Sequence, residues 1–296
     1  MNSSNNSSAV LVAGATGFLG SEICRQLLQN NKKVKGLVRA TSDPDKVTQL
    51  KELGVETVVG DLKNKTSLEH ALSGVSAVIS TVSSTLSRQE GDSIQTVDDE
   101  GQRHLVDAAV GAGISHFVYI SFCSMAGEFP LQTAKRKVEE HLEASGLDYT
   151  LLQPTYFMDV WLSPALGFDH TNAKATIYGE GKKRISWIAI KDVAAFAVAS
   201  LDNPKARNKR FELGGPAALS PLEVVAIFET DQSGKFELEF VPEEALKAQR
   251  DAAEDPLSAS FSSLMLNVAY GSEIGMKSTK AIFQLPLTAV NDFAKS

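Results

Sequence analysis

An apolar run, three glycines and an amphipathic stretch follow one another without interruption in VLVAGATGFLGSEICRQLL, and no other segment constrains the fold as strongly. Gly14, Gly17 and Gly20 fall where a strand ends and a helix begins, in the spacing GxxGxxG. So sharp a turn calls for a residue without a side chain at Gly14, and a helix pressed against its sheet calls for another at Gly20. At Gly17 the missing side chain lets a ligand approach the helix N-terminus, where unpaired amides and the helix dipole favour an anion such as a pyrophosphate. Thr16, Phe18 and Leu19 share this opening turn and are expected beside the same ligand.

From Ala9 onward the alternation repeats. AVLVAG, KVKGLVR, VETVVG, SAVISTV, HFVYIS and DYTLLQP are short apolar or β-branched runs, separated by helical stretches such as SEICRQLLQN and TSLEHALSG. One later helix is expected to end near Ala112 and another to run from about Thr133 to Ser145. Strands this continuously apolar predict a parallel sheet covered by helices on both faces, and Gly54, Gly74 and Gly146 stand where helix C-caps belong. The expected class is α/β: a Rossmann-type, doubly wound parallel sheet with a smaller C-terminal α+β lobe. Residues 1–8 read as a disordered N-terminus, 9–154 as a dinucleotide-binding domain and 155–296 as the substrate lobe. The run RFELGG, near 210–214, is expected to return to the main sheet. Asp192 opens KDVAAFAVASLD, where a cap or first-turn acid belongs.

The second strand carries the cofactor reading. An acid at its end would grip the free hydroxyls of an adenosine ribose, but KGLVR ends in Arg39. A guanidinium offers a planar fork for a 2′-phosphate, so the sequence predicts NADPH in preference to NADH. Asp61 and Leu62 follow the third strand, where they either meet the adenine or simply end the strand in a turn.

Composition narrows the partners. With 29 basic against 36 acidic residues the formal net charge is −7, which repels polyanions and excludes nucleic acid as the expected partner. Cys24 and Cys123 have neither zinc spacing nor a disulfide framework and read as buried thiols of a reducing compartment. The five histidines lack metal-ligand spacing, so no metal is expected. No apolar run of about 18 residues occurs and MNSSNNSS has no signal-peptide pattern, which predicts a cytoplasmic location without membrane insertion.

Four segments together resemble the NmrA-like, atypical members of the short-chain dehydrogenase/reductase superfamily, near isoflavone-reductase-like and quinone-reductase-like proteins. They are VAGATGFLG with LVR, then GDL, then FVYIS followed by AKRKVEEHLEASGLDYTLLQPTYFMD, and finally ISWIAIKDVAAF, spanning residue 9 to about 240. The resemblance implies NADPH across the C-terminal strand ends and a substrate between the Rossmann half and a small lobe. The superfamily's Tyr-x-x-x-Lys pair, in which lysine lowers the tyrosine pKa and holds the nicotinamide ribose, is matched at Lys135, but the tyrosine position is Leu131. Tyr178 and Lys182 have the same spacing across a Gly-Glu-Gly turn, where no helix aligns them. Lys135 either acts alone as catalytic and ribose-binding residue, as the resemblance to isoflavone-reductase-like proteins implies, or is a solvated lysine on a helix that also bears Arg136 and Lys137. Ser121 matches a polar position at the end of the fifth strand, although Phe122 follows it. Thr81, Val82 and Ser83 would border the nicotinamide, as would Pro154, Tyr156 and Phe157. Tyr156, Phe157, Met158 and Trp161 either form an aromatic wall for a flat substrate or belong to the lobe's core.

The expectation is an NADPH-dependent reductase passing hydride to a quinone, enone or similar conjugated small molecule, as a monomer or homodimer. The alternative is an NADP(H)-binding redox sensor that turns nothing over. A sugar-nucleotide epimerase or dehydratase is disfavoured because such reactions rely on the missing tyrosine.

Overall fold

In the computed structural model, which describes residues 8–86, 89–232 and 234–295, the chain folds through alternating strands and helices. The expected disordered segment lies outside the described residues apart from Ser8. The order begins β1 (Ala9–Ala13), α1 (Phe18–Gln29), β2 (Val34–Val38), α2 (Pro44–Glu52), β3 (Glu56–Val59), α3 (Lys65–Ala71) and β4 (Val75–Ser80). A π-helical turn, Ile94–Asp99, then leads into α4 (Glu100–Gly111), β5 (His116–Ile120), α5 (Pro130–Ala144) and β6 (Tyr149–Pro154). Beyond it lie α6 (Met158–Trp161), β7 (Phe168–Asp169), β8 (Lys174–Tyr178), α7 (Ile190–Asp202), β9 (Lys209–Leu213) and α8 (Pro221–Gln232). The chain closes with β10 (Glu237–Val241), α9 (Glu243–Asp251), α10 (Pro256–Tyr270), α11 (Lys277–Ile282) and α12 (Val290–Phe293).

The main sheet has the order β3-β2-β1-β4-β5-β6-β9, so the strand seen in RFELGG is its seventh. Strand burial follows from position. The central β1 and β5 are buried at every residue, whereas β3 at one edge is only half covered. A strand with helices over both faces can be apolar throughout, and an edge strand cannot. Helix α1 buries Leu19, Ile23, Cys24 and Leu27 on one face. The strand order reverses between β1 and β4, and in open α/β sheets ligands bind outside the strand C-termini at such a point. Gly54, Gly74 and Gly146 all take positive φ after helices α2, α3 and α5, as expected of C-cap glycines.

The chain divides into two compact units that interleave along the sequence. One comprises residues up to Ser121 with Ala134–Leu152 and Ala194–Arg210, and holds a core of Leu11, Val78, Leu105, Phe117, Tyr119 and Leu151 among others. The other comprises Phe122–Thr133, Gln153–Val193 and Phe211–Ser296, and has a three-stranded mixed sheet in the order β10-β8-β7. Its core gathers Tyr156, Phe168, Trp187 and Phe228. In this second unit Asp192 is the first-turn acid of α7 but not its cap. Asp159 caps the helix, accepting from the Ile190 amide at 2.8 Å, while Asp192 turns to Thr288 and accepts from its amide and hydroxyl at 2.7 and 2.9 Å. Among the described residues no helix is long and apolar enough to cross a membrane.

One buried group of the first unit makes stability depend on pH. The Thr150 hydroxyl donates to the Ala206 carbonyl, so it accepts from His116 Nε2 at 2.9 Å, and Nδ1 is left buried with no hydrogen-bond partner among the described residues. Burial, helped by the Arg207 charge and opposed by Asp148, lowers the His116 pKa to about 4. The unfolded chain takes up this proton near pH 6.5, so stability is complete above that pH and falls as pH drops toward 4. The loss should reach about 3 kcal/mol. Thermal melts of wild type and His116→Gln between pH 7 and 4 are expected to show a shallower pH dependence in the variant; parallel curves would refute the assignment.

Candidate functional site

The glycine turn after β1 tolerates no side chain at its two ends. Gly14 has φ +85°, and a Cβ there would stand 2.5 Å from the Thr81 hydroxyl at the end of β4. A Cβ on Gly20 would be driven into the Gly14 carbonyl, 2.6 Å from its carbon. Gly17 differs: it is exposed, and a Cβ would meet only the Gly14 oxygen, at 3.3 Å. Its amide donates to that same oxygen at 3.0 Å, which closes the turn. Gly17 is the N-cap of α1 in an extended conformation, and no side chain caps the helix. The first-turn amides therefore face outward at the positive end of the helix dipole, where an anion could be held. Thr16 is half-buried and Leu19 buried, while Phe18 is 69 % exposed with Lys46 Nζ 6.0 Å from its ring centre.

Of the other residues singled out near the strand ends of this unit, Thr81 and Val82 lie against Gly14. Thr81 donates from its amide and its hydroxyl to the Ala13 carbonyl, at 3.0 and 3.2 Å, which ties β4 to the turn. The Val82 carbonyl accepts from Gln102 at 2.8 Å, and Ser83 pairs with Thr85 at 3.2 Å. Asp61 binds the Lys63 amide at 2.9 Å and so shapes the turn after β3, while Leu62 is buried in the core. Arg39 follows β2 and directs Nη1 to Asp92 at 2.6 Å. Lys63 Nζ reaches the second oxygen of the same carboxylate, also at 2.6 Å. Neither Lys63 nor Asp92 was anticipated. The lysine follows the GDL motif directly and could have been suspected there, but Asp92 sits in an aperiodic loop with no such signal.

Lys135 is 6 % exposed on α5, with Nζ 3.5 Å from the Ile120 carbonyl and 5.3 Å from the centre of the Tyr119 ring. Burial is the largest influence on its pKa and pulls it down; Asp98 and Glu139 act against that, and Arg136 adds to it. Asp98, at the end of the π-helical turn, accepts from the Ser84 amide and hydroxyl through one oxygen. Its other oxygen is buried with no hydrogen-bond partner among the described residues, as is the Tyr119 hydroxyl. Ser121 is buried and accepts from Arg136 at 3.3 Å. Leu131, where the superfamily pattern has tyrosine, is 3 % exposed.

In the second unit the aromatic group after β6 divides in two. Tyr156 and Met158 are 2 % and 0 % exposed, and the Tyr156 hydroxyl donates to the Leu264 carbonyl at 3.1 Å. The Tyr156 ring meets that of Trp161 edge-on, 4.8 Å between centres. Phe157 and Trp161 are only half-buried, which leaves them the two members able to touch a ligand. Pro154 ends β6, and its carbonyl accepts from the Cys123 amide at 3.1 Å. Tyr178 and Lys182 serve other partners, the phenol donating to Leu166 and the lysine meeting Glu180. Both cysteines are buried, and burial pushes the Cys24 thiol up to about 12. Among the described residues no cluster of three or more acidic, histidine or cysteine side chains could hold a metal.

An NAD(P)H azoreductase of Xenophilus azovorans is 34 % identical over 219 residues, covering 73 % of this chain and 71 % of its own. The photosystem II assembly factor Ycf39 of Synechocystis sp. is 31 % identical over 243 residues, 81 % of this chain and 73 % of its own. The NADPH complex of an Escherichia coli NADPH-dependent quinone oxidoreductase superposes with a TM-score of 0.77 at 21 % identity, over 97 % of this chain and 98 % of that one, a likeness of fold. The sequence model of the NmrA-like family matches residues 6–284, and with it the resemblance read from the glycine turn, LVR and GDL becomes membership: the chain belongs to the NmrA-like family.

Proposed function

We propose that the chain binds NADPH at the β1–α1 turn and is a reductase acting on a conjugated small molecule such as a quinone, an enone or an azo compound. The observation that carries this reading is the helix N-terminus without a side-chain cap, behind a turn that excludes Cβ atoms at Gly14 and Gly20. Arg39, which follows β2 and pairs with the Asp92 carboxylate, supports a guanidinium there that meets an anion. The azoreductase relative uses NAD(P)H, which favours the same cofactor here.

In this reading the first-turn amides of α1 hold the pyrophosphate, Arg39 takes the 2′-phosphate, and Thr81, Val82 and Ser83 border the nicotinamide. Asp61 and Leu62 shape the adenine end. The reduced nicotinamide, when bound, supplies two electrons as hydride. Lys135 lends a cation to the ribose and to the charge that develops on the acceptor, held in place by the Ile120 carbonyl and the Tyr119 ring. Leu131 provides no phenol, so the acceptor's proton does not come from that position of α5. A quinone or azo group tolerates this, since it needs orientation and electrostatic help more than a matched proton donor. Phe157 and Trp161, half-buried in the second unit, are the apolar side chains of this segment open to a flat molecule, while Tyr156 and Met158 belong to that unit's core.

The similarity to the assembly factor Ycf39 favours a second reading, in which NADP(H) is bound and sensed without turnover. Loss of NADPH absorbance on addition of quinones, enones and azo dyes separates the two. The reductase reading predicts one NADPH consumed per quinone or enone reduced, and two per azo bond cleaved to amines. Binding of NADPH with no acceptor consumed across the panel would leave the sensor.

A further inference from the structure

The loop between β4 and the π-helical turn sends one carboxylate back across the sheet's C-terminal edge. Asp92 lies 53 residues from Arg39 and 29 from Lys63 in sequence, yet its two oxygens meet Arg39 Nη1 and Lys63 Nζ at 2.6 Å each. Its side chain is 1 % exposed, against 25 % and 29 % for the two cations. The Gln89 amide adds a third hydrogen bond at 3.0 Å, and the Gln89 side chain donates to the Thr41 carbonyl at 2.8 Å, so the loop is fastened to the segment that carries Arg39. Asp61 lies 4.0 Å from Lys63 on the other side. Burial works to raise the Asp92 pKa, but hydrogen bonds from Lys63 and Arg39 outweigh it and hold the carboxyl below its usual range.

We propose that Asp92 is an internal counter-anion of the 2′-phosphate subsite, that Lys63 is that subsite's second cation, and that Asp92 thereby sets how strongly the protein prefers NADPH to NADH. The inference rests on the NADPH reading above. Two cations directed at one carboxylate are kept in place without ligand, at the cost of a negative charge beside any incoming phosphate. A phosphate monoester carries about −1.5 to −2 at neutral pH, so the carboxylate competes with it for both cations and repels it. A nucleotide without the 2′-phosphate makes no demand on either cation and should be indifferent to Asp92. The selectivity is thus graded by this chain's own acid and is not set by Arg39 alone.

The test uses adenosine 2′,5′-bisphosphate and adenosine 5′-monophosphate as probes, titrated calorimetrically into the wild-type chain, Asp92→Asn and Lys63→Met. Asparagine keeps the size and one acceptor of the side chain, and thermal melts show whether each variant is folded. Asp92→Asn is expected to bind the bisphosphate about tenfold more tightly, with the monophosphate changed by less than about twofold. Lys63→Met is expected to weaken the bisphosphate about tenfold and to spare the monophosphate equally. If the wild type prefers the bisphosphate but Asp92→Asn binds it no more tightly, Asp92 is structural and the inference falls while the cofactor reading stands. An unchanged bisphosphate affinity in Lys63→Met removes the second cation in the same way. If the wild type shows no preference for the bisphosphate, the cofactor reading fails and takes the inference with it.

Discussion

Gly20→Ala should abolish nucleotide binding and cost more stability than any other single methyl group added to the first unit. The new Cβ would be forced into the Gly14 carbonyl, 2.6 Å from its carbon and 3.0 Å from the Ala15 Cα. All of these are backbone atoms, so no rotamer change relieves the clash, and either α1 lifts from the sheet or the turn unwinds. Overpacking of a rigid site costs about 1–3 kcal/mol and more where backbone must move, so the upper end applies here. Both escapes displace the amides that the proposed function assigns to the pyrophosphate. Gly17→Ala is the control, because its Cβ meets only the Gly14 oxygen at 3.3 Å. It should fold normally and lose affinity only by crowding the ligand. Melting temperatures and NADPH titrations of the two variants check this, and a Gly20→Ala protein with native stability and affinity would show that α1 does not press on the turn as described.

Lys135→Met carries the second large effect. Lys135 is 6 % exposed, and its desolvation is opposed by Asp98 and Glu139. Removing it leaves those carboxylates with one cation fewer, so some loss of stability is expected. The decisive readout is kinetic. If Lys135 lends charge to the acceptor as it is reduced, kcat should fall by about a hundredfold or more, while NADPH affinity falls by about tenfold or less for the lost ribose contact. A structural lysine would lower the melting temperature and leave kcat per folded molecule within about twofold of wild type.

The sheet could be read from sequence because β1, β4 and β5 must be apolar on both faces, and such runs are conspicuous. The glycine turn was equally legible, since Gly14 and Gly20 answer to backbone geometry that leaves no substitute. Side-chain direction was not. Tyr156 and Met158 share their segment with Phe157 and Trp161, yet the first two are packed in the second unit's core and the others remain half-buried. Residues so close in sequence are sorted by which face of a turn they occupy, and composition does not record that. Asp192 stands in the first turn of α7, as read from sequence, but the amide that opens the helix donates to Asp159, far from it along the chain. In the ionic cluster Arg39 and Lys63 follow the neighbouring strands β2 and β3, but Asp92 comes from the segment just before the π-helical turn, which no strand order places there. A motif search along the chain meets only Arg39.

Titration of the purified chain and of Arg39→Ala with NADPH and with NADH, followed by nicotinamide fluorescence, bears most directly on the whole account. The wild type should bind NADPH more tightly than NADH, and Arg39→Ala should lose about 1–3 kcal/mol of NADPH affinity while NADH is unchanged. Failure of the wild type to bind either dinucleotide, or equal losses for both in the variant, would contradict it.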